Sequence, residues 1–194
     1  MPNGAAYTFW GARAYEWLML ALGVDDERVE TKTDFDTFFR AHFERVARAA
    51  ALVARDPGTG QDLAQEAFAR LFERWSDMNS EDHARNFAYK VAINLAKSHL
   101  RKHLRVSFTG LRRSDEPEGA DAASRSDDWL QVADALRSLS PRQRACVVLV
   151  DYADMDATGA ARVLGMGAGT VRVHLMRGRR ALRERLGVAA REES

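Results

Sequence analysis

Three glycines precede a strongly basic stretch near the end of this sequence, in residues 164–186, "LGMGAGTVRVHLMRGRRALRERL". Gly165 is expected to end one helix in the left-handed conformation, which glycine adopts without strain. Gly167, Ala168 and Gly169 carry almost no side chain, so the backbone N–H groups at the start of the next helix could approach a phosphate closely. The spacing therefore predicts a surface that binds a polyanion.

A short segment, "ATGAARVLG", ends at Gly165 and completes a helix-turn-helix pattern with the basic helix that follows. In that motif the second helix enters the major groove of DNA and contacts bases with its N-terminal residues. Apolar residues are expected to hold this helix to a core, namely Val171, Leu175, Leu182 and Leu186. Six arginines spread around it, so not all can face DNA, and the distal ones also suit the helix C-terminus. They are Arg172, Arg177, Arg179, Arg180, Arg183 and Arg185.

A second basic segment, "ARNFAYKVAINLAKSHLRKHLR", spans residues 84–105. The spacing predicts an apolar stripe of Phe87, Val91, Leu95 and Ala92. The other faces carry polar and cationic residues with one aromatic ring among them: Tyr89, Lys90, Asn94, Lys97, Ser98, Arg101, Lys102 and Arg105. Rings that stack on bases and cations that follow phosphates are typical of single-strand binding. A basic face that is merely solvated is the alternative.

An acidic and amide face marks the segment "QDLAQEAFARLFERW". Its apolar residues are expected to face inward: Leu63, Ala67, Phe68, Leu71, Phe72 and Trp75. Asp62, Gln65 and Glu66 then face outward. Charge alone favours a solvated helix start, because carboxylates there suit the helix dipole.

Metal and thiol chemistry have little support in this sequence. His99 and His103 are spaced i, i+4, but no glutamate stands beside His99 and no third ligand is evident, so we expect no metal and no cofactor. The single cysteine, Cys146, excludes an internal disulfide and a multi-cysteine zinc site. Its setting in "ACVVLV" predicts a buried thiol and fits a reducing cytoplasm.

The composition predicts an all-α fold of two small domains. The 194 residues are rich in helix-favouring Ala, Arg, Leu and Glu, and strand signals are nearly absent. Asp34 is expected to cap the helix "FDTFFRAHFERVARAAALVA", whose apolar stripe contains Phe35, Phe38, Phe39, Phe43, Val46 and Ala50, and "DPGTG" to stop it. Ser140 is expected to cap a later helix, with Pro141 in its first turn.

The charge distribution divides the chain, although its net charge is only +1. Residues 106–128 carry 3 basic and 6 acidic residues in a stretch that contains Ser, Asp, Gly and Pro, which predicts a flexible acidic linker. Residues 34–105 and 129–188 are then two helical domains, followed by a tail at 189–194. In residues 1–33, "TFWGARAYEWLMLALG" has helical apolar spacing but is too short to span a bilayer.

That N-terminal segment has three open interpretations. It packs on the first domain, it docks a partner, or it precedes a true start at Val24 or Val29. It also lacks the positive n-region of a signal peptide.

Taken together, these motifs resemble those of bacterial RNA polymerase sigma factors of the extracytoplasmic-function (ECF) class. "DLAQEAF" resembles the D-L-x-Q-E-x-F core-binding motif, and "FAYKVAINLAKSHLRK" resembles the promoter-melting helix. "LSPRQRACVVL" and residues 164–186 resemble the sigma-four domain. The resemblance covers residues 35–105, as a sigma-two helical bundle, and residues 130–187, as a sigma-four helix-turn-helix domain.

The resemblance implies a role for each face. Docking on the clamp helices of the largest polymerase subunit would involve Asp62, Leu63, Gln65, Glu66 and Phe68. The −10 element, where a base is flipped from the stack, would meet Tyr89, Lys90, Asn94, Lys97, Ser98, Arg101 and Lys102. The −35 element would meet Gly169, Thr170, Arg172, Val173, His174 and Arg177. The implied partners are core RNA polymerase, promoter DNA and an anti-sigma factor, in the cytoplasm, with no membrane insertion and no enzymatic reaction.

The sequence departs from the family pattern in three places. Phe87 stands where tryptophan is usual, and Ser98 replaces the usual aspartate. Gly167, Ala168 and Val173 replace polar residues of the recognition helix, which leaves fewer side chains to hydrogen-bond base edges. We therefore expect −35 recognition to rely on backbone contacts and DNA shape.

Two other classes of protein remain as alternatives. A dimeric helix-turn-helix regulator with a sensing N-terminal domain predicts palindromic binding by the isolated protein, and it leaves the face between Asp62 and Phe68 unexplained. A small helical enzyme needs converging acid, base or metal ligands, whereas the five histidines are scattered. Co-purification with core polymerase would separate the three.

Overall fold

The computed structural model describes residues 29–108 and 127–186, and this part of the chain is all-α. The prediction of an all-α fold is confirmed. The predictions made for residues 1–28, 109–126 and 187–194 lie outside the described residues. The helices are α1 (Val29–Ala54), α2 (Pro57–Phe72), α3 (Glu81–Phe108), α4 (Asp127–Arg137), α5 (Pro141–Val147), α6 (Ala157–Leu164) and α7 (Ala168–Leu186).

Helices α1, α2 and α3 pack against one another as a first unit around a cluster of phenylalanine rings. Phe68 of α2 lies at its centre, with its ring centroid 5.1 Å from that of Phe39 and 5.5 Å from that of Phe43. The rings meet mostly edge to face, which aromatic pairs prefer. The apolar stripe predicted for α1 is confirmed, because all six of its residues are buried.

Of the two predicted boundaries of α1, the stop at "DPGTG" is confirmed, because the helix ends at Ala54, and the cap at Asp34 is wrong. The helix begins at Val29, so Asp34 lies inside it and does not cap it. The segment "DPGTG" does more than stop α1, because Asp56 accepts a hydrogen bond from the Gly58 backbone N–H (3.0 Å) and caps α2. Proline at the first helical position has no N–H to leave unpaired, so α2 starts at Pro57.

Helices α1 and α2 approach so closely at Gly60 that a side chain has no room there. A Cβ atom at Gly60 would lie 2.5 Å from Ala51 Cβ and 2.6 Å from the Ala47 carbonyl oxygen. We expect Gly60→Ala to lower the free energy of unfolding by about 1–3 kcal/mol, because the helices must move apart. Gly169→Ala is the matched control, since its Cβ would meet nothing within 4 Å. Urea unfolding measures both, and equal effects would contradict this packing.

Helices α4 to α7 form a second unit, with a π-helical turn at Val148–Tyr152 between α5 and α6. The predicted cap of α5 is confirmed as a capping box, in which Ser140 and Gln143 exchange side-chain to backbone hydrogen bonds. Cys146 is buried, as predicted, and burial raises the pKa of its thiol to about 11. Gly178 lets α7 approach α5, because a Cβ there would lie 2.8 Å from Val147 Cγ2.

The two units pack against each other and share one continuous apolar core. Helix α3 contacts α6, and α1 contacts both α5 and the π-helical turn. Arg45 of α1 donates a hydrogen bond to the Tyr152 carbonyl oxygen at 3.0 Å. Arg55, which follows α1 with a φ of 70°, donates to the Arg137 carbonyl oxygen. The described residues therefore form a closed arrangement of the two units.

Arg144 of α5 joins the units from inside the protein, where it is only 1% exposed. Its guanidinium donates to the carbonyl oxygens of Leu136 (2.8 Å) and Leu139 (2.8 Å) near the end of α4. It also donates to the Val53 carbonyl oxygen (3.3 Å) at the end of α1. Burial lowers the pKa of Arg144 to about 10, so it stays charged at neutral pH. The negative ends of two helix dipoles thus hold a buried cation.

Candidate polymerase-docking and promoter surfaces

The predicted polymerase-docking face lies along the outer side of α2. Asp62 and Glu66 are exposed one helical turn apart, and Leu63 and Gln65 are half-buried beside them. Glu66 forms an ion pair with Arg70 on the same helix, with Oε1 and Nη2 2.7 Å apart. The outer side of α2 is therefore a narrow strip of acidic and amide side chains, Asp62, Gln65 and Glu66, with Leu63 at its apolar edge.

Phe68 faces inward, as its spacing predicted, so it lies outside the exposed strip although the family resemblance implied a docking role for it. It is fully buried in the ring cluster of the first unit. Residue 68 lies on the inner side of α2, opposite the outward strip, so its ring cannot contact a protein docked there. Its role is to hold α2 against α1 and thereby to position the strip.

The cationic residues predicted for the −10 element lie on the solvent side of α3. Lys90, Asn94, Ser98, Arg101 and Lys102 are exposed, whereas Lys97 is half-buried. Local hydrogen bonds order two pairs of these residues: Lys97 Nζ lies 3.5 Å from Asn94 Oδ1, and Arg101 Nη2 lies 3.0 Å from Ser98 Oγ. At 3.6 residues per turn, positions 90, 94, 97 and 101 form one stripe along the helix.

The predicted apolar stripe of α3 is partly confirmed, because Ala92 is buried and Phe87 and Val91 pack against the core. Phe87, Val91 and Leu95 are only half-buried. The helix packs mainly with a row of small side chains and a few larger ones: Ala84, Ala88, Ala92, Ile93, Ala96 and Leu100. Alanines allow a close approach of α1 and α2, and periodicity in hydrophobicity alone gives more weight to large residues than to such a row.

Tyr89 was predicted to lie among the exposed cations, but it is 1% exposed. It lies near Arg45 and Tyr152, and burial raises the pKa of its phenol to about 12. Arg45 and Tyr152 belong to different units, so the closed arrangement contributes to the burial of Tyr89. The aromatic ring that remains accessible on this part of α3 is Phe87.

Phe87, which was predicted for the apolar stripe, is half-buried and packs against the core. It shares the outer side of α3 with Lys90 and Asn94, which lie three and seven residues further on. The guanidinium of Arg74 lies 6.0 Å from the centre of its ring. Phe87 and Lys90 also line an open groove between α3 and α6. The face therefore contains an aromatic ring, an amide and a row of cations.

The second unit comes close to this face at Lys97. Burial lowers the pKa of Lys97, and the nearby Arg101 and Arg142 lower it further. Arg142 belongs to α5, so two like charges from different units lie close together at the edge of the stripe. The closed arrangement thus restricts access to Lys97 as well as to Tyr89.

The predicted helix-turn-helix is formed by α6 and α7. Asp156 caps α6 by accepting a hydrogen bond from the Gly159 backbone N–H at 2.7 Å. Gly165 ends it in the left-handed conformation, with φ 65° and ψ 41°, as predicted. The Met166 N–H then donates to the Ala161 carbonyl oxygen (3.1 Å), and α7 begins at Ala168. This turn orients the first residues of α7 outward.

The residues predicted to contact the −35 element are mostly accessible. Gly169, Thr170, Arg172, Val173 and Arg177 are exposed, and His174 is half-buried.

The inner side of α7 is largely as predicted. Val171 and Leu175 are buried, and Leu182 is half-buried. Leu186 was expected in the core but is 46% exposed, because it lies at the end of the helix beyond the packed surface.

Half of the arginines of α7 form ion pairs with carboxylates of the protein itself. Arg179 pairs with Asp151, and Arg180 pairs with Glu184 on its own helix. Arg185 lies 3.1 Å from Asp134 of α4. Within the described part of the chain, Arg172, Arg177 and Arg183 have no carboxylate partner. The cations nearest the start of the helix are therefore available to a ligand.

The described residues contain no group of three or more His, Cys, Asp or Glu side chains that could hold a metal ion. His99 and His103 contact each other, with their Nε2 atoms 3.2 Å apart. Among the helices of these residues, none combines the length and the apolar composition that a membrane crossing needs.

Comparison with protein families supports the division into two units. Residues 38–106 match the family model of sigma-70 region 2. Residues 129–182 match the model of sigma-70, region 4. The first match covers the polymerase-docking and cationic faces, and the second covers the helix-turn-helix.

Curated relatives and solved structures agree with these matches. The chain is 31% identical to the RNA polymerase sigma-E factor of Streptomyces coelicolor, over 79% of this chain and 86% of that protein. It is 28% identical to the ECF RNA polymerase sigma factor SigM of Mycobacterium tuberculosis, over 79% and 77%. The sigma factor RpoE of Bartonella quintana, solved with the anti-sigma factor NepR, has the same fold (TM-score 0.68, 21% identity, 80% of this chain and 98% of that chain). This chain therefore belongs to the extracytoplasmic-function class of RNA polymerase sigma factors.

Proposed function

We propose that this sigma factor docks on core RNA polymerase through the outer strip of α2, contacts the −35 element with α7, and opens the −10 element with α3. The observation that supports this assignment is the separation of three surfaces in one chain. The acidic and amide strip, the cationic stripe and the helix-turn-helix lie on different helices. A single chain can then contact polymerase and two DNA elements at once.

The outer side of α3 has the side chains that melted DNA requires. Lys90 and Arg101 contact phosphates, and the Asn94 amide hydrogen-bonds the edge of a base that leaves the stack. Phe87 stacks on a base, in place of the buried Tyr89. Flipping a base costs a few kcal/mol, which these contacts offset. The protein stabilises open DNA and performs no covalent step of its own.

The closed arrangement must loosen for the whole predicted −10 surface to act. Tyr89 is out of reach of DNA in the closed arrangement, and the half-buried Lys97 is only partly accessible there. The strip on α2 and the exposed side of α7 are accessible without that change. Docking on polymerase can therefore precede separation of the units.

We further propose that the protein works in the cytoplasm and is controlled by an anti-sigma factor. The support for that partner is the Bartonella quintana relative, whose structure contains one. Such a partner could bind across both units and stabilise their closed arrangement.

A reconstituted transcription assay tests the proposed function. The chain, added to bacterial core RNA polymerase, is expected to produce specific transcripts from a genomic DNA library, whereas core polymerase alone does not. Binding of the isolated chain to palindromic DNA as a dimer, without any association with core polymerase, would instead support the helix-turn-helix regulator. Sequencing the transcript ends identifies the promoters used in the experiments below.

Two arginines of α7 are expected to differ in what they contribute to −35 binding. Arg172 lies one turn into the helix, where a side chain can enter the groove, and a base contact discriminates by about 1–3 kcal/mol. Arg177 lies further along, near a phosphate, and such a contact weakens all sequences alike when lost. Arg172→Ala should therefore relax the preference at one or two base pairs. Arg177→Ala should weaken binding uniformly and lower the salt slope by about one.

Holoenzyme binding to a panel of single-base −35 variants, at several salt concentrations, separates the two roles. Arg185→Ala is the control, because that side chain pairs with Asp134 away from the start of α7. Identical profiles for Arg172→Ala and Arg177→Ala would show that α7 does not lie in the groove as proposed.

A further inference from the structure

The outermost line of the recognition helix carries two large exposed apolar side chains, Val173 and Met176. Val171, Leu175 and Gly178 are buried and define the inner side of α7. At 3.6 residues per turn, the opposite side is centred on Gly169, Val173, Met176 and Arg180. Val173 is 43% exposed and Met176 is 64% exposed. Two large apolar side chains, one turn apart, thus project from the middle of the surface that faces solvent.

Cations border this apolar line on both sides. Arg177 and Thr170 lie on one flank, and Arg172 lies on the other. Neither Arg172 nor Arg177 has a carboxylate partner among the described residues. A major groove has the complementary arrangement, with phosphates along its two rims and base edges on its floor. The charge pattern therefore favours DNA, and not an apolar protein surface, as the ligand of this line.

Gly169, in the first turn of α7, adds no side chain to this surface. A Cβ at this position would meet nothing within 4 Å, so no part of the protein stands between the first turn and a ligand. Val173 lies one turn further on the same side. In a helix-turn-helix, where the N-terminal residues of the second helix enter the major groove, the apolar line would face the groove floor.

The groove floor offers one prominent apolar group, the C5-methyl of thymine. Valine and methionine side chains cannot hydrogen-bond base edges in the way that arginine or asparagine does, but they can bury a methyl group. We propose that Val173, with Met176 beside it, recognises thymine C5-methyl groups in the −35 element. This inference rests on the proposed function of α7, and it replaces part of the expected hydrogen-bond recognition with apolar contact.

Replacement of thymine by deoxyuridine tests the proposal, because it removes one methyl group and keeps the base pair. The probes are the promoters found by transcript mapping, with each −35 thymine replaced in turn, bound to the reconstituted holoenzyme. Burial of one methyl group is worth roughly a fourfold change in affinity. We expect the unmodified protein to bind about fourfold more weakly when one or two particular thymines are replaced. Val173→Ala should abolish that difference at the thymine nearest the start of α7.

Val132→Ala is the matched control, since Val132 is 44% exposed on α4, outside the helix-turn-helix. It should retain the full difference between thymine and deoxyuridine. The proposal is overturned if no replacement weakens binding, or if Val173→Ala leaves the difference intact. It is also overturned if Val173→Ala weakens assembly with core polymerase, because the line is then a protein contact. In these cases normal −10 opening by the unmodified holoenzyme would leave the proposed function standing, whereas absence of any promoter-specific transcript would reject that function itself.

Discussion

Holoenzyme that carries Asn94→Ala is expected to bind promoter DNA and to leave the −10 region largely closed. Asn94 is exposed on α3, and the one hydrogen bond described for its side chain is a long contact with Lys97, at 3.5 Å. Its loss should therefore not affect folding. The amide contributes only when a base has left the stack, and a bidentate contact to a base edge is worth about 1–3 kcal/mol. Open complexes should fall by roughly tenfold to a hundredfold.

Permanganate reactivity of −10 thymines measures opening, and a gel shift at low temperature measures closed-complex binding. Gln131→Ala removes an exposed amide from α4 and is the control for the loss of a polar side chain. Wild-type permanganate reactivity and transcription with Asn94→Ala would show that Asn94 does not contact the flipped base. A parallel loss of closed-complex binding would place it in initial DNA contact.

The double substitution Gln65→Ala with Glu66→Lys is expected to reduce the affinity for core polymerase by about tenfold to a hundredfold. It removes an amide and reverses a charge in the middle of the exposed strip of α2. The fold should persist, because the ion pair between Glu66 and Arg70 is exposed, and such a pair contributes only about 0.3–0.5 kcal/mol.

Glu184→Lys provides a closely matched control for the charge reversal. Glu184 is exposed and pairs with Arg180 one turn away on α7, as Glu66 does with Arg70 on α2. A titration of core polymerase, followed by native gel, should show normal affinity for this control. Unchanged affinity of the double variant would remove α2 from the docking surface, and unfolding seen by circular dichroism would show that the strip is structural.

Local sequence patterns predicted the buried face of α1 and several helix ends, because interactions between residues close together in the chain control these features. Helical spacing of the phenylalanines in α1 predicted its buried face, since residues three and four apart share one side of a helix. Ser140 and Gly165 marked helix ends correctly, because a side-chain cap and a left-handed glycine act within a few residues. The outward strip of α2 and the helix-turn-helix followed from the same spacing.

Tertiary packing decided which side of α3 is buried, and there the sequence pattern was only partly right. Large residues such as Phe87 were expected inside, but Phe87 is half-buried, because α1 and α2 approach closely enough that alanines fill the contact. Tyr89 is buried next to groups from both units, and no local pattern could have placed Tyr152 near it. Phe68 carries the right residue type for a docking motif but lies in the core.

Arg144 shows most clearly what the sequence could not determine. By residue type it is a surface cation, yet it lies buried among carbonyl oxygens from α1 and α4. The Val53 acceptor is 91 residues away in the chain. Its partners are backbone atoms, which every residue carries, so no side-chain pattern could identify them. The sequence determined the helices, their caps and the surfaces that they carry, whereas the packing of the two units determined which of those surfaces are accessible.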